Sequence, residues 1–259
     1  MAISFYVGLA TTIVSAVLAF LVLRRYVHKG KGAHLLLWGM GLVLWAVAGV
    51  CEVLLAFGWN DPAFRLWYWT GALVIPPILG QGTLHLLVKR KEVVIVTDVV
   101  IGVLVCASLI WAFSIPLNAG AFRPGGDVGV FLTESYRDIL PASPVRRMLA
   151  PFMNGWGTVL LVGGAVYSAI LFLRKQIMPY RVLGNLFIAI GGIIPAFGGS
   201  LVKMAESTPE LTGIGSTLKF IGILLGVVLL FAGFQLAVKD APANPQATTR
   251  TLDPVHPAS

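Results

Sequence analysis

Apolar residues run through this chain in blocks of about twenty, long enough to cross 30 Å of hydrocarbon at the helical rise. Short clusters of Gly, Pro, Lys, Arg, Asn and Asp separate the blocks. The pattern predicts seven helical spans, at about 3–25, 34–57, 64–88, 93–115, 151–173, 181–203 and 217–238. The expected fold class is all-α: a polytopic membrane protein, a seven-transmembrane helix bundle over residues 1–238. The Pro-, Ala- and Thr-rich stretch 239–259 is expected to be a disordered cytoplasmic tail.

Composition sharpens this picture. Hydrophobic residues make up 57% of the 259 and charged residues only 12%, about half the charged share of a soluble domain. Mean hydropathy is +0.87. The chain reads as one membrane domain rather than a globular protein with an anchor. A net charge of +8 would suggest nucleic acid in a soluble protein. Here the charges sit in short loops, where they orient helices in a bilayer, and they argue against nucleic acid.

Orientation follows from those charges. Met1–Tyr6 lacks the basic start of a cleaved signal peptide, and Arg24 and Arg25 follow the first apolar run instead. With the N-terminus outside, Arg24, Arg25, Lys29, Lys31, Lys89, Arg90, Lys91, Arg174, Lys175, Arg181, Lys239 and Arg250 fall inside. Asp61, Asp127, Glu134, Asp138, Glu206 and Glu210 fall outside. That asymmetry gives an N-out, C-in topology in a cell inner membrane. Cys51 and Cys106 both lie in apolar segments, so no disulfide framework is expected.

The longest loop, about 116–150, carries Phe131, Leu132, Tyr136, Ile139 and Leu140 among its charges. It is either a solvated loop or a short interfacial helix that caps the bundle. Pro195 sits in a small-residue stretch from Gly191 to Gly199, and Gly222 and Gly226 lie in the last span. Proline removes a helical hydrogen bond and glycine permits close approach. Pro76, Pro77 and Pro195 are therefore the expected helix pivots.

The chemistry concentrates in spans two and three. An acid, Glu52, lies within apolar residues, where a carboxyl group is costly and points to function. Trp38, Trp45 and Glu52 are spaced seven apart and share a helical face. Across the antiparallel turn at Asn60–Pro62, residue n of span two should lie level with residue ~121−n of span three. Glu52 then lies level with Trp69 and Thr70, and Trp45 with Pro76 and Pro77. The expected ligand site is Glu52, Trp45, Trp69 and Tyr68, with Lys203 or Lys219 available to neutralise the acid.

A second layer, nearer the inner face, comprises Gln81, His85, Asp98, Asn185 and Gln235, expected to link helices by hydrogen bonds. His34 and His85 stand at similar depth, and two imidazoles at one level are the requirement for bis-histidine haem. No cofactor beyond that haem alternative is expected. No Ser/His/Asp set, His-Glu-x-x-His or phosphate loop is present, and the chain is not expected to be an enzyme.

The run Leu44-Trp45 to Glu52, followed by Leu66-Trp67-Tyr68-Trp69 and Pro76-Pro77, resembles the seven-helix N-terminal region of certain bacterial membrane histidine kinases. A basic turn from Arg174-Lys175 through Pro179 to Arg181, the central Pro195 and a glycine-bearing last helix extend the likeness over about 33–238. The resemblance implies recurrent positions at Trp45, Glu52 and Pro195, and a sensory or receptor-like module. The family's kinase domain has no counterpart here, so any output would pass to a separate partner in the cytoplasm or membrane. The leading expectation is a stand-alone sensor of a small apolar ligand or of the lipid bilayer itself. The alternatives are a small-molecule carrier or channel, and a non-catalytic subunit of a membrane complex. The absence of an obvious internal repeat weakens the carrier.

Overall fold

The computed structural model describes residues 3–30, 32–122, 132, 136–176, 179–206 and 214–239. The side chains of 3, 4, 29, 196–206, 214–217, 220, 238 and 239 fall outside that description. Among the described residues there is no strand. The helices are α1 (Ile3–Lys29), α2 (Ala33–Ala56), α3 (Asp61–Tyr68), α4 (Ile75–Leu87), α5 (Lys91–Ser114), α6 (Pro144–Arg174), α7 (Pro179–Glu206) and α8 (Ile214–Lys239). Among the described residues, four stretches are long and apolar enough to cross a membrane: Phe5–His28, Ala33–Ala56, Lys91–Ser114 and Pro144–Arg174. The apolar parts of α7 and α8 are shorter, Pro179–Pro195 and Ile221–Ala237.

A π-helical segment, Trp69–Val74, joins α3 to α4. Backbone angles stay helical at Tyr68, Trp69, Val74 and Ile75. The expected break at Pro76 and Pro77 is thus a wider helical turn, and Asp61 to Leu87 forms one rod. Asn60 starts it: its side chain accepts from the Ala63 amide at 2.9 Å, and Pro62 occupies the first turn. Pro195 likewise lies inside α7, which continues through it as a single helix.

The rods pack in a ring. α1 contacts α2, α2 contacts α4, α4 contacts α6, α6 contacts α7, α7 contacts α8, and α8 returns to α1. The α7–α8 contact is built on glycine: a Cβ at Gly184 would lie 2.7 Å from the Gly233 carbonyl oxygen. One at Gly191 would lie 2.7 Å from that of Gly226, against which the Pro195 ring also rests. α5 stands outside the ring against the α3–α4 rod, with Ile95, Val96, Val99, Val103 and Ile110 exposed. Such a face is at home against lipid tails.

The long loop folds onto the bundle at the end opposite Arg24 and Arg25. Leu132, Ile139 and Leu140 are fully buried against Leu55, Phe64 and Leu73. The Asn118 amide donates to the Ile139 carbonyl at 2.9 Å, and Arg146 donates to the Leu140 carbonyl. Phe131, the segment 123–130 and the tail from 240 onward lie outside the described residues. α6 begins at Pro144, about two turns before the expected 151. Ser143 caps it, accepting from the Arg146 amide at 3.1 Å, and the helix tolerates Pro151 inside its second turn. The two ends of the ring are called below the basic end (Arg24, Arg25) and the loop end.

Candidate functional site

The level rule for spans two and three is met along their length. The Trp38 indole donates to the Leu79 carbonyl at 3.1 Å and lies against Gly82, Gly41 faces Leu79, and Ala48 faces Gly71. Direction around the helix is another matter. Cys51 and Leu55 of α2 turn toward Phe64, Tyr68 and Leu73. Glu52 is one residue further on, about 100° round the helix, and turns to α1 and α8. A Cβ at Gly8 would sit 3.6 Å from Glu52 Oε1. Lys219 of α8 lies within electrostatic reach of the Glu52 carboxylate. Lys219 is one of the two lysines expected to neutralise the acid; the side chain of the other, Lys203, lies outside the described residues.

The grouping of Glu52 with Tyr68 and Trp69 is therefore not the one that forms. Trp69 donates to the Ser108 hydroxyl of α5 at 3.0 Å. Tyr68 is buried between Trp111 and Tyr136, with ring centroids 6.1 and 5.9 Å away. Both belong to the α5 side of the α3–α4 rod. Trp45 packs on a separate cluster that includes Leu18, Ala48, Leu79 and Leu230.

What meets Glu52 instead is the polar stripe of α1. Gly8, Thr11, Thr12 and Ser15 recur at helical spacing, and the last three are buried. Thr12 packs on Gly49 of α2 and returns its hydroxyl to the Gly8 carbonyl at 2.8 Å. Thr11 does the same to Val7. Ser15 is fully buried, and its Oγ has no hydrogen-bond partner among the described residues. A buried hydroxyl without a partner is destabilising, so the position is a candidate for a bound polar group or water. The seam of α1, α2 and α8 thus holds an acid, a lysine and an unsatisfied hydroxyl. The spacing of small and hydroxylated residues in the first span was the available signal for it.

The second expected layer divides. Gln81 Nε2 donates to Thr97 Oγ1 and Asp98 Oδ1, both at 2.8 Å. The same oxygen of Asp98 meets His85 Nε2 at 3.0 Å, and its Oδ2 at 2.8 Å. Trp156 of α6, not anticipated, donates to Gln81 Oε1 at 3.3 Å. Gln235 sits elsewhere, lining a cavity with Arg24 and Arg25. Asn185 on α7 is half-buried and shares no hydrogen bond with this layer among the described residues. His34 stands edge-on to Trp38 at 5.5 Å, and His85 is bonded to Asp98. Among the described residues no group of three or more His, Cys, Asp or Glu side chains gathers for a metal.

These bonds explain how α5 is held. Its ties to the rod are polar at three heights: Gln81 and His85 at Thr97 and Asp98, Trp69 at Ser108, and Arg65 at the helix end. Arg65 Nη1 donates to the carbonyls of Ala112 and Ile115 at 2.7 and 2.9 Å, while Asp61 steadies the guanidinium. A cation on the last carbonyls of α5 also suits the helix dipole.

No family model, no curated protein and no solved structure matches this chain.

Proposed function

We propose that this chain is a receptor-like sensory protein, a seven-helix bundle with its N-terminus outside and its C-terminus in the cytoplasm of a bacterium. On this reading α1, α2, the α3–α4 rod, α5, α6, α7 and α8 are the seven spans, and the basic end faces inward. The resemblance to the membrane region of sensory histidine kinases supports the same class. Output passes to a separate partner protein.

The observation that carries the proposal is the electrostatic interaction between Glu52 and Lys219 where α1, α2 and α8 meet, at one end of the α1 stripe that also carries the unsatisfied Ser15. A carboxylate and an amine on different helices hold together two elements that need not stay together. A small, mostly apolar ligand with one polar group would compete for either partner and shift the balance between seam-closed and seam-open forms.

The test is a thermal-stability screen of the purified protein against amphiphiles with a single polar group: fatty acids, quinones, long-chain alcohols and amines. A compound that stabilises the wild type and loses its effect in Glu52→Gln supports a receptor site at the seam. Equal stabilisation of both proteins rejects that site. The stripe Thr11–Thr12–Ser15, which leads from Glu52 along α1, also favours a second reading, a carrier. Flux of the stabilising compound into sealed vesicles would establish the carrier in place of the receptor.

A further inference from the structure

At the basic end, between α1 and α8, lies a cavity of about 240 Å³ lined by Leu21, Arg24, Arg25, His28, Phe234 and Gln235. Its polar lining consists of two guanidiniums, an imidazole and an amide. Among the described residues no carboxylate forms a salt bridge with Arg24 or Arg25. Arg181 of α7 adds a further positive charge within electrostatic range of Arg25. Like charges gathered on α1 and α7 repel one another, and an anion seated among them relieves that repulsion.

Two of the guanidiniums are held in place by aromatic rings. The Arg25 guanidinium lies over the Phe234 ring, 5.9 Å from its centroid, and Arg181 over Phe172 at the same distance. His28 Nδ1 meets the Arg24 carbonyl at 2.8 Å. A carbonyl only accepts, so Nδ1 bears the proton in this bond. Leu21 and Phe234 make the remaining wall apolar.

We infer that this cavity binds the phosphate headgroup of an anionic phospholipid. Forked guanidiniums match phosphate oxygens in pairs. The position, at the end of apolar helices and level with their last turns, is where a headgroup lies. The apolar wall fits the glycerol and first acyl carbons, which a free phosphate lacks. Basic pockets between membrane helices on the cytoplasmic side take lipid headgroups in this way. The lipid would close the α1–α8 seam at the end remote from Glu52 and Lys219, independently of the sensory proposal.

The experiment uses the full chain, delipidated in detergent and titrated with phosphatidylglycerol, phosphatidylcholine or inorganic phosphate, with bound lipid counted by native mass spectrometry. Phosphatidylglycerol is expected to be retained and to raise the melting temperature, and phosphatidylcholine to do neither. Arg24→Gln/Arg25→Gln should weaken phosphatidylglycerol binding roughly thirtyfold, and Arg24→Lys/Arg25→Lys should keep part of it. Arg90→Gln/Lys91→Gln, at the start of α5, should bind as the wild type does and serves as the folded control. Phosphatidylglycerol binding unchanged in Arg24→Gln/Arg25→Gln would overturn the site. Equal stabilisation by inorganic phosphate would overturn the lipid assignment.

Discussion

Asn154 of α6 donates a 2.7 Å hydrogen bond to the backbone carbonyl of Ala72. That oxygen has no helical donor. In an α-helical register its donor would be residue 76, and in the π register of Trp69–Val74 it would be residue 77. Both are proline. The double proline is thus tied to α6 by an amide from outside the rod, and Gly157, one turn on, packs directly on the Pro76 carbonyl.

Asn154→Ala should therefore lower stability by about 1–3 kcal/mol, the cost of leaving one buried carbonyl unpaired. Asn154→Asp should not rescue it, because a carboxylate has no proton to give. Thermal unfolding in detergent, followed by circular dichroism, measures both. Gly157→Ala should cost a similar ~1–3 kcal/mol by overpacking, since its Cβ would overlap the Pro76 peptide.

Loss of Asp98 should free α5. Asp98→Ala removes the partner of His85 and one partner of Gln81, whose side chain is only 2% exposed. Because α5 touches the bundle chiefly at the α3–α4 rod, the effect should be local. Maleimide accessibility of a cysteine introduced at Ile101, which is buried on α5, should rise severalfold, while the global melting temperature falls by only a few degrees. Unchanged labelling would show that Ser108 and Arg65 suffice to hold the helix.

Gly184→Leu and Gly233→Leu should each separate α7 from α8, because either side chain would enter the backbone of the facing helix. Each should destabilise by more than Gly102→Leu on α5, where a Cβ meets open space. The three melting temperatures, measured side by side, decide it. Equality of the three would contradict the close crossing.

Much of the fold was legible because it depends on rise. Length and hydropathy located the long apolar helices, and counting 1.5 Å per residue puts Trp38 level with Thr83, which its indole reaches at 3.4 Å, and Ala48 within two residues of Gly71, which it faces. The site was less legible because it depends on rotation. Trp69 lies at the level of Glu52, yet the 100° between Cys51 and Glu52 sends one residue to the α3 side and the other to α1. No level count reports which neighbour stands at that angle. Lys219 is legible in the sequence as one of two lysines, with Lys203, at the level of Glu52. Thr11, Thr12 and Ser15 carry a weaker signal, since hydroxyls in apolar helices commonly bond their own backbone, as Thr11 and Thr12 do. The loop residues Leu132, Ile139 and Leu140 left two readings open until burial decided for the cap.

Glu52→Gln and Lys219→Gln should each destabilise by roughly 1–3 kcal/mol, because each strands a polar partner. The double variant should lose less than the two added together. A cycle with no coupling would show that the two side chains do not interact across the seam.

The most direct measurement is the distance across the loop end of that seam. Spin labels at Tyr6→Cys on α1 and Leu218→Cys on α8, both exposed positions, in a background with Cys51 and Cys106 replaced by Ala, report it by pulsed electron resonance. With Glu52 present the distribution should be narrow, and Glu52→Gln should lengthen and broaden it. Identical distributions in the two proteins would mean that the Glu52–Lys219 contact does not hold the seam, and the switch proposed here would fall.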